Sequence, residues 1–536
     1  MTEHSFLRSA RTIGLCTLFS RILGLLRDIL CASAFGTTMV WDAFAVAFRI
    51  PNLFRRLFGE GALTAAFIPI FTEYLEKRGE RESWYLVSVV ATALFIFLGL
   101  IVLLGEAAFY IIPRLTHLDA KWNLTLELSI IMFPYMLFIC LAALVSAILN
   151  CLRHFLVPAL SPAVLNICWI LGIILIAPML EDRGIFGVAL AILTAGIIQL
   201  GIQLWVMRSK GGNVNPVIHF AHPGLKQITR LIGPVVFGLA VVQINVLMDS
   251  LIAVGFASSP GGPSTFTLAG KVFAFPLQSG AASVLYYGDR IIEFPLGVVG
   301  VALATAVFPT LSTHVVRNDW KNFSATLHKA LRMVLFISIP ASVGLIILRE
   351  PLLELFFQRH AFTQESTHRT ASVIFFYSIG IWAYCSLHIL IRAFYSLQDT
   401  ITPVKVGASM VGLNLALSLS LIWFLKEGGL ALSTAISAMA QVAILFVVLR
   451  GRLKVKEGGE MIVCVGKTLI ATALMAVVCI ALLYWLPPSQ GDTFNKAVRL
   501  FVPMPLALGT FLAVAHLLGS EELKPLYRAF IKRGEE

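Results

Sequence analysis

Apolar residues fill this chain in long runs, separated by short polar and basic stretches, and most runs are long enough to cross about 30 Å of hydrocarbon. They fall near residues 12–34, 41–72, 84–113, 124–149, 155–180, 185–207 and 226–257, then 281–313, 331–349, 370–396, 403–425, 429–450, 461–486 and 497–519. The pattern predicts an all-α polytopic membrane protein with fourteen transmembrane helices. No connection is large enough for a separate catalytic domain. The longest irregular one, from Ser258 to about Gly280, contains SSPGGPSTFTLAG and reads as a connector, with a mobile lid as the alternative.

The runs repeat. Sliding the sequence by 241 positions sets Arg49 on Arg290, Thr64 on Thr305 and Phe67 on Phe308, so RIPNLFRRLFGEGALTAAFIP overlies RIIEFPLGVVGVALATAVFP. At an offset of 242, Gly187 meets Gly429, Gln199 meets Gln441 and Arg208 meets Arg450, and Pro158 meets Pro403 at 245. Four blocks in order at nearly one offset mark a duplication. The unit has six helices, an even number, so the copies insert in the same direction as a parallel repeat, and function is expected where they meet. The expected domains are 1–222, 223–456, and 457–536 for two additional helices and a tail.

Composition changes this picture little. Hydrophobic residues make up 58% and charged residues 13%, and the mean hydropathy is +0.87, far above what a soluble core needs. The net charge of +12 sits in clusters between apolar runs, as in cytoplasmic loops, so a nucleic-acid partner is not expected. With the N-terminus in the cytoplasm, Lys and Arg favour that side by about two to one, which places both termini there. The eight cysteines form no CxxC pair and read as small core residues. No removed signal peptide is expected.

Charge matters where it breaks the apolar pattern. The first two runs carry Arg21, Arg27, Asp28, Asp42, Arg49, Arg55, Arg56 and Glu60, and the eighth carries Asp289, Arg290 and Glu293. Each charge at the bilayer centre costs roughly 2.5–3.5 kcal/mol on insertion scales, so the cluster must face a polar cavity, pair internally or reach an interface. Forked guanidinium donors fit phosphate oxygens, and inward Arg21, Arg27, Arg55 and Arg290 suggest a diphosphate ligand. The structural alternative pairs Arg21 with Asp42, Arg27 with Asp28 and Arg290 with Glu293, with Arg49 and Arg56 as anchors. Asp249, Asn414 and Thr434 supply a carboxylate and neutral oxygens that suit Na+ or a proton, or equally a polar contact between helices. The VGKT and LAGKV strings lack the first glycine of a P-loop, and neither HExxH nor a serine nucleophile elbow occurs. The residues therefore describe a transporter of a phosphorylated substrate, not an enzyme, and require no cofactor.

The strings SRILGLLRD, WDAFAVAFRIPNLFRRLFGEGALTAAFIPIF and YYGDRIIEFPLGVVGVAL, with the fourteen-span layout, resemble the MurJ (MviN) lipid II flippases of the MOP exporter superfamily. The resemblance covers essentially the whole chain. It implies movement of undecaprenyl-diphosphate-linked disaccharide-pentapeptide from the inner to the outer leaflet of the bacterial cytoplasmic (inner) membrane by alternating access. Cell-wall synthesis machinery and membrane lipids are the implied partners. It also implies cavity arginines at Arg21, Arg27, Arg55 and Arg290, with Asp28, Asp42 and Glu60 as accompanying acids, and a lipid-tail groove along the two added spans. A Na+ site of some members would fall on Asp249, Asn414 and Thr434, with Ser418 where a second carboxylate would stand. Coupling to Na+, protons or the membrane potential stays open. So do two other readings: a flippase for a different polyprenyl-diphosphate glycan, and a cation-coupled multidrug exporter.

Overall fold

The computed structural model describes residues 3–268, 270–453, 459–487 and 492–525, excluding the side chains of 3–11, 59–62, 64, 65, 234, 237, 242 and 268. Lys454, Lys456, Arg528, Lys532 and Arg533 of the charge bias, and the Glu60 side chain, lie outside the described residues.

Contacts gather the chain into two compact units, Met1–Ser283 and Val284–Glu536. The first holds α1 (Glu3–Phe35), α2 (Met39–Phe54), a π-helical turn (Arg55–Ala62), α3 (Leu63–Lys77), α4 (Glu80–Leu115), α5 (Ala120–Met132), α6 (Tyr135–Cys151), α7 (Leu156–Leu171), α8 (Gly184–Ser209) and α9 (Pro223–Gly255). One of its core clusters joins Phe67 and Phe71 of α3, Leu86 and Val90 of α4, Leu144 and Ile148 of α6, Met207 of α8 and Ile228 of α9. α9, the seventh predicted span, thus packs within the first unit, beside α2, α3 and α4. The compact units divide at 283/284 and not at the 222/223 boundary expected from the repeat.

After α9 comes a short antiparallel hairpin, β1 (Thr265–Leu268) and β2 (Lys271–Ala274), with Thr265 opposite Ala274. The Gly- and Pro-rich connector is therefore partly ordered as strand, in alternating Thr and Phe positions that suit a pleat. α10 (Ala281–Pro295) then leads into a second π-helical turn (Leu296–Val301), α11 (Ala302–Val316), α12 (Trp320–Phe356), α13 (Gln364–Ile379), α14 (Ile381–Ser396), α15 (Ile401–Leu425) and α16 (Glu427–Leu453). The added segment forms α17 (Gly459–Trp485), α18 (Thr493–Phe501) and α19 (Pro503–Leu517). Met475, Cys479, Phe511 and Ala515 of that segment close on Phe336 and Leu348 of α12 in one core cluster.

Among the described residues ten helices, or eleven if α13 and α14, bent by 44°, form one span, are long and apolar enough to cross a membrane. The difference from fourteen has a physical origin. Leu156–Ser209 holds two predicted spans in one 54-residue stretch. The α1 run and the α2–α3 run are the ones interrupted by Arg21, Arg27, Asp28, Asp42, Arg49, Arg55 and Arg56.

The duplication is visible in the backbone. Helix, π turn and helix recur in order, and the π turns begin at Arg55 and Leu296, separated by the 241 residues of the sequence offset. Positive φ in non-glycine residues recurs too, at Arg153 (60°) and Gln398 (59°), and at Glu181 (47°) and Lys426 (50°), each pair 245 apart. Such angles are uncommon outside glycine, so their recurrence at repeat-related positions is hard to obtain by chance.

Where Gln398 turns the chain into α15, Asp399 accepts from the Ile401 and Thr402 backbone N–H groups, the Thr402 hydroxyl and Arg452 Nη1 at 2.6–3.1 Å. Burial raises its pKa, but the Thr402 bonds and the Arg452 guanidinium outweigh it and hold the carboxyl at about 2. A carboxyl depressed below its unfolded value of about 3.9 stabilises the fold above that pH and loses this contribution as pH falls through about 2. Asp399→Asn keeps an acceptor for the N–H groups but loses the charge paired with Arg452, and is therefore expected to lower thermal stability by up to about 1 kcal/mol at pH 7. The difference from the parent should shrink between pH 4 and pH 2 in detergent melts. An equal difference at both ends of that range would refute the assignment.

Candidate functional site

The α1 surface alternates Ile22, Leu25 and Leu26, all well exposed, with a buried edge that carries Arg27 and Asp28. Arg27 is 9% exposed and Asp28 5%. Arg27 Nε and Nη2 donate to Asp28 Oδ1 at 3.0 and 2.7 Å, and Nη1 donates to Asn166 Oδ1 of α7 at 2.9 Å. The guanidinium lies 4.5 Å from the Trp169 ring, an attraction strengthened by desolvation. Asn166 Nδ2 in turn donates to the Ser20 carbonyl at 3.0 Å. Trp169 is braced edge-on by Phe44 and Phe48 of α2. One acid, one amide and one aromatic face thus hold a cation among α1, α2 and α7.

Arg21 is exposed, and no hydrogen bond or ion pair forms between it and Asp42 among the described residues. The Arg21–Asp42 pairing is a correction to the sequence reading. Asp42, 3% exposed, accepts instead from Gly280 N at 2.7 Å, Ser283 N at 2.7 Å and Ser283 Oγ at 2.6 Å. The reason is electrostatic. The first turn of α10 presents N–H groups with no helical partner and the positive end of its dipole, which a carboxylate satisfies. Asp42 and Ser283 are themselves related by the repeat offset of 241.

Arg49 Nη1 donates to the Val246 carbonyl of α9 at 2.9 Å, so it ties α2 to α9 and fits the structural role. Arg55 Nε donates to Asn52 Oδ1 at 2.9 Å from the start of the π turn, and Arg56 is half-buried beside it. In the second unit Arg290 Nη1 donates to Glu293 Oε2 at 2.7 Å, and its guanidinium stands 5.0 Å from the Tyr286 ring. Two of the three expected pairs, Arg27–Asp28 and Arg290–Glu293, therefore form.

The expected cation ligands divide between the units. Asp249 is buried in the first, and Asn414 and Thr434 belong to the second. There Ser418 Oγ bonds Ser433 Oγ at 2.6 Å, Ser433 Oγ donates to the Leu430 carbonyl at 2.8 Å, and Thr434 Oγ1 donates to the same carbonyl at 3.1 Å. Asp249, Asn414 and Thr434 each make further contacts in the structure. Among the described residues no three His, Cys, Asp or Glu side chains group to hold a metal.

Sequence reasoning missed Asn166, Trp169 and Lys121. Asn166 and Trp169 interrupt the apolar string VLNICWIL, a signal that a polar side chain in a span has a partner. Lys121 sits at the start of α5 with 3% exposure and carried no signal beyond its charge.

A family model described as lipid II flippase MurJ matches residues 31–494. A probable lipid II flippase MurJ of Buchnera aphidicola subsp. Schizaphis graminum is 31% identical over 536 residues, 99% of this chain and 100% of that protein. One from Vibrio cholerae is 34% identical over 452 residues, 82% of each. Among solved structures, a lipid II flippase MurJ in an inward closed conformation aligns with a TM-score of 0.76 at 24% identity, covering 97% of this chain and 99% of that one. An inward-facing MATE-family multidrug resistance transporter of the MOP superfamily aligns at 0.66 and 13% identity, covering 81% and 94%. The two structural likenesses show a shared fold.

Proposed function

This chain belongs to the lipid II flippase MurJ family, and we propose that it carries lipid II from the inner to the outer leaflet of the bacterial cytoplasmic membrane by alternating access. Transport of this kind makes and breaks no covalent bond. The observation that carries the reading is Arg27, a guanidinium buried in a membrane helix and held by Asp28, Asn166 and Trp169. A buried cation with an exchangeable carboxylate partner suits an anion that arrives and leaves. Diphosphate oxygens can take over the bonds made by Asp28, since bidentate guanidinium–phosphate pairs are among the stronger charge-assisted bonds.

In this reading Arg21, exposed on α1, meets the substrate first, Arg27 exchanges Asp28 for phosphate, and Arg55 and Arg290 are further contacts. Glu293 would release Arg290 in the same way, and Glu60 would counter a free arginine. Asp42 serves α10 and acts on substrate indirectly. The sequence repeat supports two six-helix copies, 1–222 and 223–456, with 457–536 added. Both termini are cytoplasmic, as the charge bias favours. Enzymes that make lipid II inside and polymerise it outside are the partners such transport requires.

Coupling to Na+ would engage Asp249, Asn414 and Thr434; with Ser418 where a second carboxylate would stand, protons or the membrane potential are the drives favoured here. Proteoliposomes made with the purified chain should flip lipid II equally in sodium and in choline buffers; a ten-fold loss without sodium would restore the cation reading.

The test of function is depletion of the chain in its host, followed by assay of which lipid-linked intermediate is stranded on the inner leaflet. Lipid II is the expected answer. Stranding of a different polyprenyl-diphosphate glycan would favour the alternative substrate, and altered drug efflux with normal lipid II would favour the exporter.

A further inference from the structure

Both ends of the α9–α10 connection are held by buried charges from other helices. At its first end, Lys121 Nζ donates to the Ala257 carbonyl at 2.5 Å, just past the end of α9. The ammonium also lies 5.0 Å from the Phe275 ring and 4.0 Å from Asp119 Oδ2. Asp119 and Asp42 are the carboxylates whose charges act on it. At its second end, Asp42 seats Gly280 and Ser283.

Between these points the connection closes on itself. Ser258 N donates to the Leu277 carbonyl at 3.0 Å and Leu277 N to the Phe256 carbonyl at 3.2 Å. The hairpin folds over an aromatic group in which Phe266 meets Phe256, Phe273 and Phe275. A lysine ammonium is strongly hydrated, and burying one for a single carbonyl and a ring face is costly unless nearby carboxylates balance it. The bonds of Lys121 fix where α9 ends and where the chain turns towards α10, the helix that carries Arg290.

We propose that Lys121 is a positioning residue for transport: with Asp42 it clasps residues 257–280 at both ends, and the connection moves only when that clasp opens. The effect on transport rests on the flippase reading, whereas the clasp itself does not. Lys121→Met keeps length and apolar bulk but loses the charge and donor; Lys121→Arg keeps both.

The full-length protein in nanodiscs would be compared by hydrogen exchange, lipid II binding and flipping rate. For Lys121→Met, amide exchange in peptides spanning 256–280 should rise at least ten-fold, while α6 and α8 peptides stay within two-fold. Lipid II affinity should stay within two-fold while the flipping rate changes at least five-fold, and Lys121→Arg should restore both rate and exchange. The proposal is overturned if exchange in 256–280 is unchanged, if exchange rises across the whole first unit, if affinity and rate fall together, or if arginine fails to rescue. Should the parent not flip lipid II at all, the exchange arm still decides the clasp, and the flippase reading fails separately.

Discussion

Arg27→Ala is expected to reduce lipid II flipping to background while the chain still inserts in the membrane. The change removes four contacts together: two bonds to Asp28 Oδ1, one to Asn166 and the cation–π contact with Trp169. It also leaves Asp28, 5% exposed, as a buried carboxylate without its main counter-charge. Breaking one side of a buried pair costs about 3–5 kcal/mol, much of it the penalty on the charge left behind. Loss of flipping after that substitution alone could therefore be loss of fold. The double variant Arg27→Ala, Asp28→Asn separates the two, because a neutral amide at position 28 relieves most of that penalty. Its melting temperature should return towards the parent while flipping stays at background. Arg27→Lys should flip at an intermediate rate, since lysine keeps the charge but offers no fork to an amide and a carboxylate at once. The measurement is lipid II protection or release in proteoliposomes alongside thermal melts. Substantial flipping by the double variant would remove Arg27 from the substrate path.

Much of this arrangement was legible in the sequence, and what was not has definite causes. Cost in hydrocarbon singled out Arg27 and Arg290 and sent each to a nearby acid in the chain, Asp28 and Glu293; the i to i+3 spacing puts Arg290 and Glu293 on one face, whereas Arg27 reaches its neighbour only through the length of its side chain. Those pairs form. The structural alternative pairs Asp42 with Arg21, because a carboxylate in a span invites a search for a nearby cation. The partners of Asp42 include backbone N–H groups 238 and 241 residues away, and backbone donors have no letter in a sequence. Asn166 and Trp169 were passed over for a related reason: each is a single polar or amphipathic residue in an apolar run, and only the fold shows that α7 brings both to α1. The repeat fared better. An offset of 241 in residue identities is matched by the spacing of the two π turns, since both follow from the same duplicated stretch. The span count fared less well, because a count by length and apolarity cannot divide Leu156–Ser209 or keep the charged first spans.

The seat of Asp42 carries the other large expected effect. Gly280 has φ of 89°, and a Cβ built there would stand 2.0 Å from the Thr37 carbonyl oxygen. Both observations point the same way: a side chain at 280 is strained in its own backbone and collides with the loop that precedes α2. Gly280→Ala must push the chain away from Thr37, and in doing so it withdraws the N–H that Asp42 Oδ2 accepts at 2.7 Å. Asp42→Asn tests the same seat without the collision. An amide keeps one acceptor oxygen where the carboxylate has two, and it loses the charge facing the first turn of α10, which together should cost about 1–3 kcal/mol. Flipping by Gly280→Ala should fall to background and its melting temperature should drop further than that of Asp42→Asn. Because both act on one contact, the double variant should be little worse than Gly280→Ala alone. Additive losses in the melts would mean that the two residues act separately, and Asp42 would then need a partner other than α10.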